Sequence, residues 1–258
     1  MVAAGSAEVL AAMRRSAAVG PFFAVAVEGP DAASGPRWLP GAALLGPTAE
    51  LAAAIEEVRR WASGTHPRVA ASLFFMSYTG RLLSAAVAGV LLGGVLLDLR
   101  ADRLWWRYLP GQGAQLRMVA PAGWRPAALG EGPVERPGVR SVLLAALGGE
   151  LVGGQLTATV RAIRELIPVS GRVLWGNAAS SVAGALGALA GSGAVPAGVC
   201  RQAGEVLLDT PYLRGTGTFL PPEGQRGLAF RRRSCCLYYR LPDAAGVCAD
   251  CVLAGRDR

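Results

Sequence analysis

The sequence predicts an α+β protein: a mainly helical domain with a small antiparallel sheet and a C-terminal cysteine-ligated metal tail. Long stretches carry apolar residues at helical spacing, and two stretches, the first with Trp105, Trp106 and Tyr108, flank a Gly111-Gln-Gly113 turn like paired strands. Four of the five cysteines crowd into the C-terminal end as Cys235-Cys236 and Cys248-Ala-Asp-Cys251.

At 258 residues the chain can bury a substantial core. It divides into a helical α+β body, residues 1–228, and a cysteine-bearing segment, residues 229–258. The first helix is expected from Ser6 to Ala18, with Ser6 as N-cap and Val9, Leu10 and Met13 on one face. Phe22 to Val27 reads as a short strand, and the Gly/Pro-rich stretch from Gly29 to Pro47 as a loop. Thr48 opens a second helix whose apolar stripe is Leu51, Ile55, Val58 and Trp61. Thr65-His66-Pro67 starts a third, because proline is tolerated in a first turn. The following residues, Val69 to about Leu92, are apolar almost all round and predict a central helix.

Leu96 to Tyr108 and Ala114 to Val119 are expected to be β-structure, with Trp105, Trp106 and Tyr108 as sheet packing. A proline-rich loop then runs to Pro137, and one or two helices fill Val139 to Ile167. Pro168-Val-Ser-Gly171 breaks them, and Arg172 to Leu189 and Pro196 to Leu208 supply further helices. Arg214 through Gln225 reads as a loop leading into the cysteines.

Composition narrows the function classes. All 26 basic residues are arginine, and the net charge of +8 favours acidic partners. No recognition helix or aromatic-and-basic interleaving accompanies that charge, so no nucleic-acid partner is expected. The greasiest run, Leu82 to Leu97, is interrupted by glycines and short for a bilayer. No transmembrane span is therefore expected, with peripheral membrane contact left open. No leader pattern follows Met1, so the expectation is a cytoplasmic chain whose thiols stay reduced. Gly111-x-Gly113 and Gly215-x-Gly217 lack the third glycine of a dinucleotide site. Electrons for any redox chemistry would then come from a separate donor. A lone histidine, His66, fits a helix start better than a metal site or a Ser–His hydrolase. Cys200, apart from the others, reads as a buried structural cysteine.

Cys235, Cys236, Cys248 and Cys251 are the candidate metal ligands. Cys-x-x-Cys lets two thiolates converge on one metal. The adjacent pair is odder, since neighbouring side chains of a strand face opposite ways and a bend is needed between them. Thiolate chemistry alone leaves zinc and a [2Fe–2S] cluster about equally open.

The run Arg-Arg-Ser-Cys-Cys-Leu-Tyr-Tyr-Arg-Leu-Pro followed by Cys-x-x-Cys resembles the C-terminal signature of the FhuF family of ferric-siderophore reductases. Leu174-Trp175-Gly176-Asn177-Ala-Ala-Ser180 resembles a Trp-Gly-Asn motif of the same family, and Ser72-Leu-Phe-Phe-Met is similar in flavour. The resemblance implies a [2Fe–2S] cluster on Cys235, Cys236, Cys248 and Cys251. It further implies one-electron reduction of a ferric siderophore, with ferrous iron released in the cytoplasm and a ferredoxin or flavodoxin as donor. Arg231, Arg232, Arg233 and Arg240 beside the motif, with Trp175 and Asn177, are the expected substrate or donor contacts. The alternative is a siderophore-binding or regulatory protein with a structural four-cysteine zinc site.

Overall fold

The computed structural model describes residues 1–27, 38–127, 137–221, 228–242, 244 and 246–254. A short strand, β1 (Val2–Ala3), leads into α1 (Ser6–Val19), which buries Val9, Ala12 and Met13. Gly5, rather than Ser6, occupies the N-cap, and its N–H donates to the Glu8 carboxylate at 3.3 Å. The expected strand from Phe22 shrinks to a 3-10 turn, Pro21–Phe23, and a two-residue strand, β2 (Ala26–Val27). β3 (Leu39–Pro40) forms within the expected loop, followed by a 3-10 turn at Gly41–Leu44.

Thr48 caps α2 (Ala49–Trp61), its hydroxyl accepting from the Leu51 N–H at 3.2 Å. Leu51, Ile55 and Val58 are buried as the stripe predicts, whereas Trp61 ends the helix 52% exposed. His66 caps α3 (Pro67–Gly93), with Nδ1 accepting from the Arg68 N–H, and Gly94 at φ +64° closes it. The histidine is thus a helix-start residue.

The expected long strand from Leu96 is two strands, β4 (Leu96–Leu97) and β5 (Leu104–Leu109), separated by a turn. Asp98 in that turn is 2% exposed and holds Arg100 at 2.8 Å. The Gly111-Gln-Gly113 turn joins β5 to β6 (Gly113–Met118), and β7 (Gly123–Arg125) follows. One sheet has the order β1-β7-β4 and a second β2-β6-β5-β3, antiparallel apart from the parallel β2–β6 pair. Trp106 is fully buried and meets Phe74 of α3 edge-on at 5.7 Å, so its sheet-packing role is as expected.

The segment after residue 136 is one run: α4 (Pro137–Leu147), a π-helical stretch Gly148–Leu156 and α5 (Thr157–Leu166). Ser170 caps α6 (Gly171–Gly191), and α7 (Ala197–Leu208) buries Cys200 completely. Burial pushes the Cys200 thiol up to about 11, as suits an inert core cysteine. β8 (Gly217–Phe219) lies in the expected loop and pairs antiparallel with β9 (Phe230–Arg232), stitching the cysteine segment to the body.

The core centres on α3 packed along α6, with α1 and α2 on the other side of α3. The Thr79 and Ser181 hydroxyls meet across α3 and α6 at 2.9 Å. By length and composition α3, the Arg140–Leu166 run and α6 are each apolar enough to cross a membrane. The expectation from Leu82–Leu97 understated this, because the helix starts at Pro67 and has 27 residues. Within the fold, 67% of the apolar window of α3 and 61% of that of α6 are buried.

Candidate metal centre

The four cysteines of the tail meet α3 and α6 through a set of buried polar contacts. Ser72 of α3 donates its hydroxyl to the Cys236 carbonyl at 2.7 Å. Asn177 of α6 donates to both the Ser72 carbonyl and hydroxyl, at 2.8 and 2.9 Å. The Asn177 Oδ1 accepts in turn from Arg232 Nη2. Ser72 and Asn177 are both fully buried in otherwise apolar helices, so these bonds satisfy groups that would each cost about 1–3 kcal/mol if orphaned. Gly176 makes the approach sterically feasible: a Cβ there would lie 2.1 Å from Ser234 Oγ and 3.1 Å from Arg232 Nη2. The Trp-Gly-Asn motif is thus the seat of the tail on α6.

A second anchor holds the Cys-x-x-Cys loop. Ser180, one turn beyond Asn177's neighbour Gly176, hydrogen-bonds the Asp250 carboxylate, and the Asp250 carbonyl accepts from the Arg232 N–H at 3.0 Å. Cys236 and Cys251 are each 1% exposed, while Cys235 and Cys248 are half-buried. The Sγ atoms of Cys236 and Cys248 are 3.4 Å apart, and Cys235 is within electrostatic reach of Cys236 and Cys251. All five cysteines are free thiols.

The bend required by the adjacent pair falls one residue later than expected. Leu237 adopts φ +68°, a left-handed conformation that disfavours a branched residue by about 1 kcal/mol or more. That turn aims the Leu237 N–H at Cys235 Sγ, 3.3 Å away, and the Leu253 N–H is likewise 3.3 Å from Cys251 Sγ. Burial nevertheless pushes the Cys235 thiol up, the Leu237 amide offsetting only part of it. The Cys236 thiol is drawn down to about 6, first by its hydrogen bond with Cys248 and then by the Tyr238 amide and Arg232. Cys248 moves up for the reciprocal reason, as the partner that keeps the shared proton.

Arg232 is the least ordinary feature. It is 1% exposed, and its Nε and Nη1 have no hydrogen-bond partner. An uncompensated buried guanidinium is strongly unfavourable unless an anion faces it. It exerts a favourable field on the thiolates of both Cys235 and Cys236. Four thiolates, amide donors to sulfur and an orphaned buried cation suit an anionic sulfur-ligated group. A two-iron cluster asks only for two thiolates on each iron.

The other sequence-predicted contacts separate. Arg231 is half-buried and donates to the Ala254 carbonyl at 3.1 Å, pinning the chain's end. Arg233 is exposed, and Arg240 is exposed beside Tyr239. Asn177 is fully buried and has no surface to offer a substrate or donor. Trp175 stacks on Tyr212 at 4.8 Å and does not line the cavity beside the cysteine turn. That cavity, about 580 Å³, lies between α3, α6 and the β5–β6 turn. Tyr238 and Leu241, from the turn directly after Cys235-Cys236, form one wall, with Met76, Tyr108 and Gly184 opposite. No charged side chain lines it among the described residues. Sequence reasoning quoted Ser180 only as the end of the Trp-Gly-Asn stretch and gave neither it nor Asp250 a role. The signal for both was a polar residue in a setting where it had to find a partner.

A mainly helical α+β body with four cysteines seated against α3 and α6 is a candidate thiolate-ligated metalloprotein. The FhuF 2Fe-2S C-terminal domain model matches residues 232–253, and this likeness indicates a [2Fe–2S] cluster as the cofactor. The match spans the four cysteines and Arg232, and the resemblance of the chain to FhuF-like proteins rests on it. No curated protein sequence matches the chain.

Proposed function

We propose that this protein reduces the ferric iron of a siderophore complex by one electron and so releases ferrous iron. Cys235, Cys236, Cys248 and Cys251 are the proposed ligands of the [2Fe–2S] cluster, which supplies a one-electron carrier when bound. The observation that carries the reading is the uncharged cleft beside the cysteine turn, walled by Tyr238 and Leu241. A cleft of this size accommodates a small-molecule chelate. Its apolar lining favours an uncharged ferric complex over a highly anionic one, whose desolvation no cation there would offset.

The chemistry needs no bond-making by the protein. Ferric iron accepts one electron and becomes ferrous, and the chelator's hard oxygen donors hold ferrous iron less tightly. The chain's part is to bind the chelate in the cleft and to hold positive charge beside the cysteines through Arg232. The electron comes from a separate acidic carrier of the ferredoxin or flavodoxin kind. Five free thiols suit a reducing compartment, and we place the reaction in the cytoplasm.

Single-turnover mixing tests this. Anaerobically reduced protein mixed with an uncharged ferric tris-hydroxamate should return to its oxidised spectrum while one ferrous ion per chain appears in a ferrous trap. A spectrum that stays reduced in the presence of excess chelate would contradict the reductase reading.

A further inference from the structure

A second concavity, about 220 Å³, is lined in part by Arg233 and Ser234, the residues before the adjacent cysteines. Arg172, Arg214 and Arg233 line it together with the stacked Trp175–Tyr212 pair and Ser234, the residue before Cys235. All three arginines are exposed. Arg214 is paired with the exposed carboxylate of Asp209 at 2.9 Å. Among the described residues no carboxylate forms an ion pair with Arg172 or Arg233. The large cleft and this concavity share no lining residue. The first is reached from the residues after the adjacent cysteines, the second from those before them.

We infer that the Arg172–Arg214–Arg233 surface is where an acidic electron-donor protein docks; this rests on the reductase reading above. Charge complementarity identifies the occupant. The cleft that would take the chelate lacks charge, whereas this face gathers three cations next to a cysteine ligand. Exposed arginines hold a single small anion weakly, because solvent and salt screen each pair. A protein surface presents several carboxylates at once and covers the aromatic pair, of which Tyr212 is 41% exposed. Arginine, tryptophan and tyrosine are the residue types that dominate the energetics of protein interfaces. The separation of the two openings lets donor and chelate be bound together.

The test uses the cluster-loaded protein and a strongly acidic [2Fe–2S] ferredoxin as probe, reading both the dissociation constant and the rate of cluster reduction against salt. Wild type should bind more weakly and be reduced more slowly as salt rises. The triple variant Arg172→Glu, Arg214→Glu, Arg233→Glu should bind and be reduced at least tenfold less well, with a flattened salt dependence and an unchanged visible spectrum. The control Arg14→Glu, Arg103→Glu, two exposed sites outside this concavity, should stay within twofold of wild type. Equal losses in triple variant and control, or no loss in the triple variant, would overturn the surface. So would retained ferredoxin binding with lost binding of inorganic phosphate, which would mark a small-anion site. A wild type that binds ferredoxin but never passes an electron to a ferric chelate would sink the reductase reading and leave the surface standing.

Discussion

A guanidinium that is 1% exposed, with one neutral amide partner and two unpartnered nitrogens, needs an anion, and Arg232 faces the cysteine ligands. Its positive charge should favour the reduced, more negative state of the centre. Replacing it by an uncharged residue of similar length, Arg232→Met, is expected to lower the midpoint potential. At an effective dielectric constant of about 20 and a separation of several ångströms, the effect is on the order of 100 mV. Redox titration of the purified variant followed by its visible spectrum measures this, and an unchanged potential would remove Arg232 from the tuning role. Asn177→Ala leaves the Arg232 side chain and the Ser72 carbonyl without their partner, and should reduce stability by about 1–3 kcal/mol, read as a lower unfolding midpoint. Four arginines beside the cysteines were legible in the sequence, but not which of them is buried. On a strand, successive side chains alternate faces, so Arg232 turns inward while Arg231 and Arg233 do not. Nothing in an Arg-Arg-Arg run says which face is the inner one.

Helices with long apolar periodicity were readable because many residues vote on one face, as in α2 and α3. The strands that escaped, β1, β3, β7, β8 and β9, have two or three residues each, too few to display alternation. The seat of the tail on α6 was legible as a motif and not as a geometry, because Gly176 matters only through the side chains that approach it from Ser234 and Arg232. Gly176→Ala would normally favour a helix. Here its methyl group would displace Ser234 Oγ from its bond to the Arg172 carbonyl and crowd Arg232, so the variant should keep its helical circular dichroism yet retain less iron than wild type. Full iron content would show that the tail does not sit there. Gly184 offers the converse case: a Cβ at that position meets nothing within 4 Å, and the residue lines the cleft. Gly184→Phe should therefore preserve the fold and the visible spectrum while raising KM for the ferric chelate at least tenfold. An unchanged KM would move the chelate out of this cleft.

For the molecule as a whole, two openings of unlike character are lined by the residues that follow and precede Cys235-Cys236. One is apolar and uncharged, bounded by the turn that follows Cys235-Cys236; the other is basic and aromatic, bounded by the residues before that pair. That asymmetry is what a one-electron relay between a protein and a small chelate requires. It was not visible in the chain order, since both openings draw on elements far apart in sequence. The central claim is that Cys235, Cys236, Cys248 and Cys251 hold a [2Fe–2S] cluster in this setting, and Cys248→Ser is the variant that should lose it. The most direct measurement is metal and sulfide analysis of anaerobically purified wild type alongside Cys248→Ser. Wild type should be red-brown, with about two irons and two sulfides per chain, and should bleach on reduction, while the variant loses most of its iron. Colourless wild type carrying one zinc, or a variant with undiminished iron, would contradict the account.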